Sequence, residues 1–444
     1  MVAVSTLVVS PSGPLDGVVR IGGAKNSALK LMAASVLAGA GHVHTLRNVP
    51  DIDDVNTMSD LLRSIGCRVE WPDPTGALVL TRPDRVAADL SEPPAAGLVG
   101  AIRASTALLG PLLAREGEVR LPAPGGDDFG RGARPISMHT DALERLGAEL
   151  RLESGGPGGG TVVVGRVPGG RLRGADVRLP YPSVGATENV LMAAVLAEGR
   201  TTITNAAQEP EIADLAAMLN RMGAHVLGAG SRRIEVTGVP MLRSVEHEVV
   251  PDRIEAATYL ASVAAVGGEV QLAGADHRHL GVIIERLGDT GTRVAPALGG
   301  VWVQAPPGRR GRTDLQTLPY PGLATDQLPM LVAALVTAEG TSYATENVQP
   351  GRFAYVPELH RMGGDIAEHG HHLAIRGVER LRGGTTVRAT DIRAGAALVI
   401  AGLQADEPTR VEGAGHLERG YADLVDQLVG VGARVRVEEP APPG

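Results

Sequence analysis

Along the chain, apolar positions alternate between two periods. A helical spacing such as Met58, Leu61, Leu62 and Ile65 runs into a glycine and then into a few β-prone residues. The junction recurs as Ile65-Gly66-Cys67-Arg68-Val69, Leu146-Gly147-Ala148-Glu149-Leu150, Met222-Gly223-Ala224-His225-Val226, Met362-Gly363-Gly364-Asp365-Ile366 and Val431-Gly432-Ala433-Arg434-Val435. A looser copy, Leu287-Gly288-Asp289-Thr290, fills the one long gap. The pattern predicts a helix closed by a glycine C-cap and followed by a strand, since glycine takes the required left-handed backbone without strain. A second succession alternates with it: an Ala-rich helix, a glycine turn, then a strand. Ala114-Arg115-Glu116-Gly117-Glu118, Ala197-Glu198-Gly199-Arg200-Thr201 and Ala338-Glu339-Gly340-Thr341-Ser342 are examples. Together they predict six repeated α/β units with two helices each, three units to a domain.

Longer repeats cross the two halves. "LPYPSVGATE" (179–188) matches "LPYPGLATD" (318–326), and "AIRASTALL" (101–109) matches "DIRAGAALV" (391–399). Duplicated domains that face each other predict a ligand site in a cleft between them. At 444 residues two domains are the expectation, and with 43% hydrophobic but 2% aromatic residues the core must be built from Ala, Val, Leu and Ile. The formal net charge of −8 argues against a general nucleic-acid binder, so an anionic ligand has to be held by a local cluster of cations. No apolar run reaches membrane-spanning length, and the N-terminal residues read as a strand rather than a signal peptide. The single cysteine, Cys67, excludes an internal disulfide and fits a reducing cytoplasm. It fills the small-residue slot of the first junction, which is a packing role.

Candidate chemistry gathers at loop–helix junctions. In "GGAKNSALKLMAASVLAG" the helical spacing of Leu29, Met32, Ala33, Val36 and Leu37 puts Lys25 at a helix start, with Asn26 or Ser27 as N-cap. A cation beside free N–H groups is an anion site. The residues Ser183, Val184, Gly185 and Thr187 lead into another apolar helix, and their donors suit a phosphate or diphosphate. Arg103 and Arg393 hold equivalent slots before helices; with Lys25, Arg134, Arg352 and Arg419 they make six cations at such junctions in an acidic protein. Asp326 matches Glu188 as a capping carboxylate and is the candidate general base, while Asp391 orients Arg393. No His/Cys spacing suits a metal, and no cofactor is implied. "SGGPGGGTVVVG" (154–165) precedes a strand, not a helix, and so reads as a hairpin.

Over nearly its whole length the sequence resembles the enolpyruvyltransferases, most closely the UDP-N-acetylglucosamine 1-carboxyvinyltransferase branch, with EPSP synthase more distant. The motifs are "GGAKNS", "IRAS", "PGGDDFGRGARP", "SVGATEN", "EPEIADL", "PDRIEAAT", "ATD", "TENVQPGRF", "DIRAG" and "ERGY". The resemblance implies a two-domain inside-out α/β barrel whose cleft closes on substrate. Its first domain would span 21–245 with a lid at 123–135, and its second 1–20 plus 246–444. It also implies that an acceptor hydroxyl adds to C2 of phosphoenolpyruvate while C3 is protonated, after which phosphate leaves. By motif, Lys25, Arg134 and Arg419 would hold the phosphate. Arg352 and Arg393, with Asp391 beside them, would hold the carboxylate, and Asp326 would serve the hydroxyl. Asn26, Arg103, Pro135, Ser137, Ser183, Val184, Gly185 and Val348 would line the uridine-nucleotide side.

The lid glycines permit travel from open to closed. Where the family usually has a lid cysteine this chain has Asp127, which can protonate C3 if closure dries the site and raises its pKa. The change also implies insensitivity to thiol-directed epoxides such as fosfomycin. Three departures fall on the acceptor side: two extra lid residues around Arg131-Gly132, Ser137 in place of the Asp of "RP-x-D", and Ala324 in place of the proline of "PTD". They lean towards UMP as acceptor at its 3′-hydroxyl, as in nikkomycin- and polyoxin-type antibiotic pathways. The alternatives are UDP-N-acetylglucosamine in peptidoglycan synthesis and an inactive uridine-nucleotide-binding paralogue.

Overall fold

The computed structural model describes residues 6–71, 77–125, 136–154 and 160–438. The chain divides into two compact units, one drawn from residues 23–250 and the other from 6–22 and 251–438.

Among the described residues the strands form six separate sheets, three in each unit, five of four strands and one of three. The sheets repeat one plan. In the sheet around Gly268–Ala273, that strand pairs parallel with Leu15–Arg20 and antiparallel with Gly300–Ala305, which pairs antiparallel with Arg293–Ala297. The strand Val43–Arg47 makes the same set with Val245–Glu248 (parallel) and Leu78–Thr81, which pairs with Arg68–Glu70. The three-stranded sheet keeps a trace of the missing parallel partner as the bridge Asp89–Arg120. The early strand Thr6–Ser10 lies between Thr409–Glu412 and Arg434–Glu438, so the first strand completes a sheet of the last repeat.

Helices form the interior and sheets the outside of each unit. Every residue of the helices Leu328–Leu335 and Ile392–Leu403 is buried, and both pack on Arg253–Val266. Strands such as Thr409–Glu412 instead alternate buried and exposed positions. Helices covered on all sides must approach closely, which favours Ala and Gly over aromatics. At Gly402 a Cβ would lie 2.9 Å from Val9 Cγ1, so nothing larger fits there. No single helix among the described residues is long and apolar enough to cross a membrane.

Gly66, Gly147, Gly223, Gly363 and Gly432 all have positive φ at the end of a helix, as the junction pattern predicts. The sixth junction is displaced. The helix Gly281–Asp289 runs through Gly288, and the turn comes at Gly291 (φ 88°), before the strand Arg293–Ala297. The true copy is Thr290-Gly291-Thr292-Arg293-Val294, with buried threonines in apolar slots. Their polarity is met locally: Thr290 Oγ1 donates to Leu287 O at 2.6 Å and lies 3.1 Å from Thr292 Oγ1. The hairpin expectation holds, since Glu149–Ser154 pairs antiparallel with Thr161–Arg166. Cys67 is buried in the core, where burial pushes its thiol up to about 11.

Candidate active site

In the unit of residues 23–250, the helix Lys25–Ala34 starts directly after Ala24, whose side chain cannot cap it. Neither Asn26 nor Ser27 is the N-cap. Both lie inside the helix, and Ser27 Oγ donates to Asp214 Oδ2 at 2.5 Å. Asp214 also accepts from the Val250 N–H and lies 2.7 Å from His247 Nε2, which ties this helix to the end of the unit's last strand. Gly23 is required because a Cβ there would collide with the Asn48 carbonyl. Lys25 is buried, and its Nζ lies 2.8 Å from Asp54 Oδ2 in the first turn of the helix Asp53–Ser64. The motif therefore delivers a cation already held by a carboxylate, which fixes its direction at the cost of competing with any incoming anion.

One turn on, Lys30 Nζ donates to Asn26 O at 3.0 Å and pairs with Glu188 at 3.5 Å. Neither Glu188 nor Asp326 is a helix cap: Gln327 stands at the N-cap of the helix Leu328–Leu335 without a side-chain capping bond, and Glu188 sits inside the helix Val184–Ala194, fully buried. Burial raises its pKa to about 7, against the pull of Lys30 and with the help of Glu211 and Glu209. Ser183 caps this helix by accepting from Ala186 N–H at 3.3 Å. Thr187, expected to offer a hydroxyl donor, is already engaged: Oγ1 donates to Ser183 O at 2.8 Å and accepts from Ala207 N–H at 3.0 Å. Val184 and Gly185 are half-buried in the first turn, Arg103 opens the 3-10 turn Arg103–Leu108, and Ser137 opens the helix Ser137–Arg145 in an exposed position.

In the other unit, three candidate residues come together. Asp326 Oδ1 accepts from Arg352 Nη1 at 2.6 Å, and its Oδ2 lies 3.4 Å from Arg393 Nε. Both guanidinium groups are buried, while Asp326 is partly open. Arg393 also lies over the Tyr421 ring, 5.3 Å from its centroid. Asp391 does not orient the Arg393 side chain. It caps the helix Ile392–Leu403 by accepting from the Arg393 and Ala394 N–H groups at 2.9 and 3.0 Å. Arg393 is thus the second residue of a helix rather than a residue before one. Arg419, half-buried, closes the short helix Gly415–Glu418.

The sequence reading missed Glu346. Fully buried, it accepts from Thr317 Oγ1, Val348 N–H and Gln349 N–H through Oε1, and from Thr325 Oγ1 through Oε2. It shapes the "TENVQPGRF" loop so that Arg352 meets Asp326, and it occupies the Val348 N–H from within. A carboxylate two residues before an expected ligand contact was the available signal. Asp127, Arg134 and Pro135 lie outside the described residues, as do the two extra lid positions. Among the described residues no three His, Cys, Asp or Glu side chains gather as a metal would require.

Buried ionisable groups give this protein a defined pH response. Burial raises Glu255 to about 8, helped by Asp252 and opposed by the hydrogen bond from Gly22 N–H. Burial lowers His44 and His139 from 6.5 to about 4. Between pH 4.5 and 6.5 the unfolded chain binds extra protons at the histidines and the native state binds them at Glu188 and Glu255, so the slopes nearly cancel. Above pH 6.5 the carboxyls alone remain. The native state then keeps protons that the unfolded chain has shed, and stability falls as pH rises through 7 and 8. The expected loss between about pH 6.5 and 8.5 is on the order of 2 kcal/mol, most of it absent in Glu255→Gln. Denaturant titrations at the two pH values check this, and a rise in stability would contradict it.

The EPSP synthase (3-phosphoshikimate 1-carboxyvinyltransferase) family model matches residues 9–428. The chain is 44% identical over 428 residues to UDP-N-acetylglucosamine 1-carboxyvinyltransferase of Mycobacterium bovis, covering 96% of this chain and 98% of that one. It is 43% identical over 430 residues to the enzyme of that name from Gloeobacter violaceus, covering 97% and 90%. Its fold matches the enolpyruvyl transferase NikO from Streptomyces tendae with a TM-score of 0.86 at 26% identity, over 98% and 99% of the two chains. EPSP synthase from Acinetobacter baumannii shares the fold at a TM-score of 0.72 and 19% identity, over 98% and 100%. The family match across the chain, the full-length relatives and the shared two-domain α/β fold place this protein in the EPSP synthase family, as an enolpyruvyltransferase.

Proposed function

We propose that this protein transfers the enolpyruvyl group of phosphoenolpyruvate to a sugar 3-hydroxyl of a uridine nucleotide, with UMP as the acceptor. The observation that carries the reaction is Asp326 held between the buried Arg352 and Arg393. Two buried guanidinium groups around one carboxylate are a ready seat for a substrate carboxylate. When phosphoenolpyruvate takes that seat, Asp326 is released to accept the proton of the acceptor hydroxyl. The hydroxyl oxygen bonds to C2, and the C2–C3 double bond takes a proton at C3, which Asp127 supplies. The Asp127 carboxylate then takes a proton back from C3 as the C2–O bond to phosphate breaks; the double bond is restored on the new ether, and the phosphate is held by Lys25, Arg134 and Arg419. Asn26 and Arg103, with Ser183 to Gly185, Pro135, Ser137 and Val348, hold the nucleotide.

Ser137, Ala324 and the two added lid residues support a changed acceptor, and the fold likeness to NikO is in keeping with it. UDP-N-acetylglucosamine is the second reading, favoured by the 43–44% identity to enzymes of that name. The presence of Lys25, Asp326 and Arg419 speaks against an inactive paralogue. With Cys67 buried and its thiol at about 11, the chain offers no ready thiolate to epoxide reagents. Turnover in D2O tests the chemistry: addition and elimination through a C3 methyl put deuterium at C3 of the product. A product free of deuterium would contradict it.

A further inference from the structure

Asn189 lies fully buried in the helix Val184–Ala194, one turn after Gly185. Its Oδ1 accepts from Gly110 N–H at 2.7 Å. Its Nδ2 has two hydrogens, and its two nearest partners are His139 Nδ1 at 2.9 Å and Thr106 O at 3.0 Å, with Gly185 O a longer contact at 3.3 Å. Gly110 N–H can only donate, and the two carbonyls can only accept, so the amide orientation is settled by its partners. His139 Nδ1 must then present its lone pair to Nδ2, which leaves the ring proton on Nε2. Burial, with Arg103 and Lys30 adding to it, keeps this imidazole neutral.

The arrangement has no slack. A Cβ on Gly110 would collide with the Asn189 backbone carbonyl. A Cβ on Gly185 would lie 2.9 Å from His139 Cε1 and 3.2 Å from Nε2, so the ring edge rests against the first turn of the helix. His139 is 7% exposed, and its Nε2 has no hydrogen-bond partner among the described residues. Asn189 meets the helix Leu109–Glu116 through Gly110, and its other partners lie on three segments, its own helix among them, that each follow a residue of the acceptor reading. Thr106, whose Oγ1 donates to Arg103 O at 2.9 Å, follows Arg103; His139 follows Ser137; and Gly185 follows Ser183.

We propose that Asn189 is a positioning residue for the acceptor: it holds the Arg103, Ser137 and Ser183 segments in register and locks His139 as an Nε2–H donor against the helix start that receives the acceptor phosphate. This rests on the acceptor reading above. Its first test is nitrogen NMR of histidine-labelled protein, with the His139 signals identified by their loss in His139→Gln. The wild type is expected to show the Nε2–H tautomer at neutral pH, a measurement that needs no acceptor. Asn189→Asp keeps the acceptor for Gly110 N–H but removes the donor to His139. It should move a proton to Nδ1 and raise the acceptor KM at least tenfold, with the phosphoenolpyruvate KM within twofold. A merely structural role would weaken both substrates alike or lower stability with the tautomer unchanged, and either result overturns the proposal. An Nδ1–H tautomer in the wild type overturns it even if the variant fails to fold. If neither UMP nor UDP-N-acetylglucosamine is turned over, the acceptor reading fails, and the tautomer still decides whether Asn189 locks His139.

Discussion

Asp326→Asn should bind phosphoenolpyruvate more tightly than the wild type and yet scarcely turn it over. The Asp326 carboxylate sits 2.6 Å from Arg352 and 3.4 Å from Arg393, so it competes with a substrate carboxylate for the same two cations. Neutralising it removes the competitor, and the dissociation constant should fall about tenfold, equivalent to ~1.4 kcal/mol. The same substitution removes the base, which costs about 10²–10⁴ in kcat. Opposite signs separate this role from simple damage, which would weaken binding and turnover together. Isothermal titration alongside single-turnover kinetics reads both quantities. Weaker binding in the variant would show that the ion-pair fork is not the carboxylate seat.

Lys25→Ala should act in the other direction. The buried Lys25–Asp54 pair sets one cation at the start of its helix. Truncation removes a charge-assisted contact worth roughly 1.5–3 kcal/mol and leaves Asp54 without this cation, so phosphoenolpyruvate affinity should drop about ten- to a hundredfold. Part of the stability should go as well, because Asp54 remains buried. Adding Asp54→Asn to Lys25→Ala removes the buried charge left behind, and it should restore stability without restoring affinity. Unchanged phosphoenolpyruvate affinity in Lys25→Ala would remove this residue from the phosphate site.

What could be read from the sequence was local. Glycine C-caps such as Gly66 and Gly223 follow from a few adjacent residues, and the repeat they mark gives six sheets in two units among the described residues. The sixth junction slipped by three residues because Thr290 and Thr292 satisfy their own hydroxyls and so stand in for apolar residues. The cations at helix starts were visible, but their partners were not. Asp54 lies 29 positions from Lys25, and Arg393 lies 67 from Asp326, so those pairs exist only once the helices are packed. Asp391 was misread because a carboxylate two residues before an arginine looks like its counter-ion, whereas its geometry makes it a cap. The role of Asn189 carries no local signature, since its value lies in groups contributed by other segments such as Gly110 N–H and Thr106 O.

A site whose buried polar groups are arranged for one nucleotide rejects an analogue that leaves them unpaired, by several orders of magnitude in favourable cases. The direct measurement compares kcat/KM for UMP and for UDP-N-acetylglucosamine at equal phosphoenolpyruvate, with phosphate release and the enolpyruvyl ether both followed. The account predicts turnover of UMP and at least a roughly hundredfold lower value for the nucleotide sugar. Efficient turnover of UDP-N-acetylglucosamine with none of UMP would contradict it, and would make Ser137 and Ala324 changes without effect on the choice of acceptor.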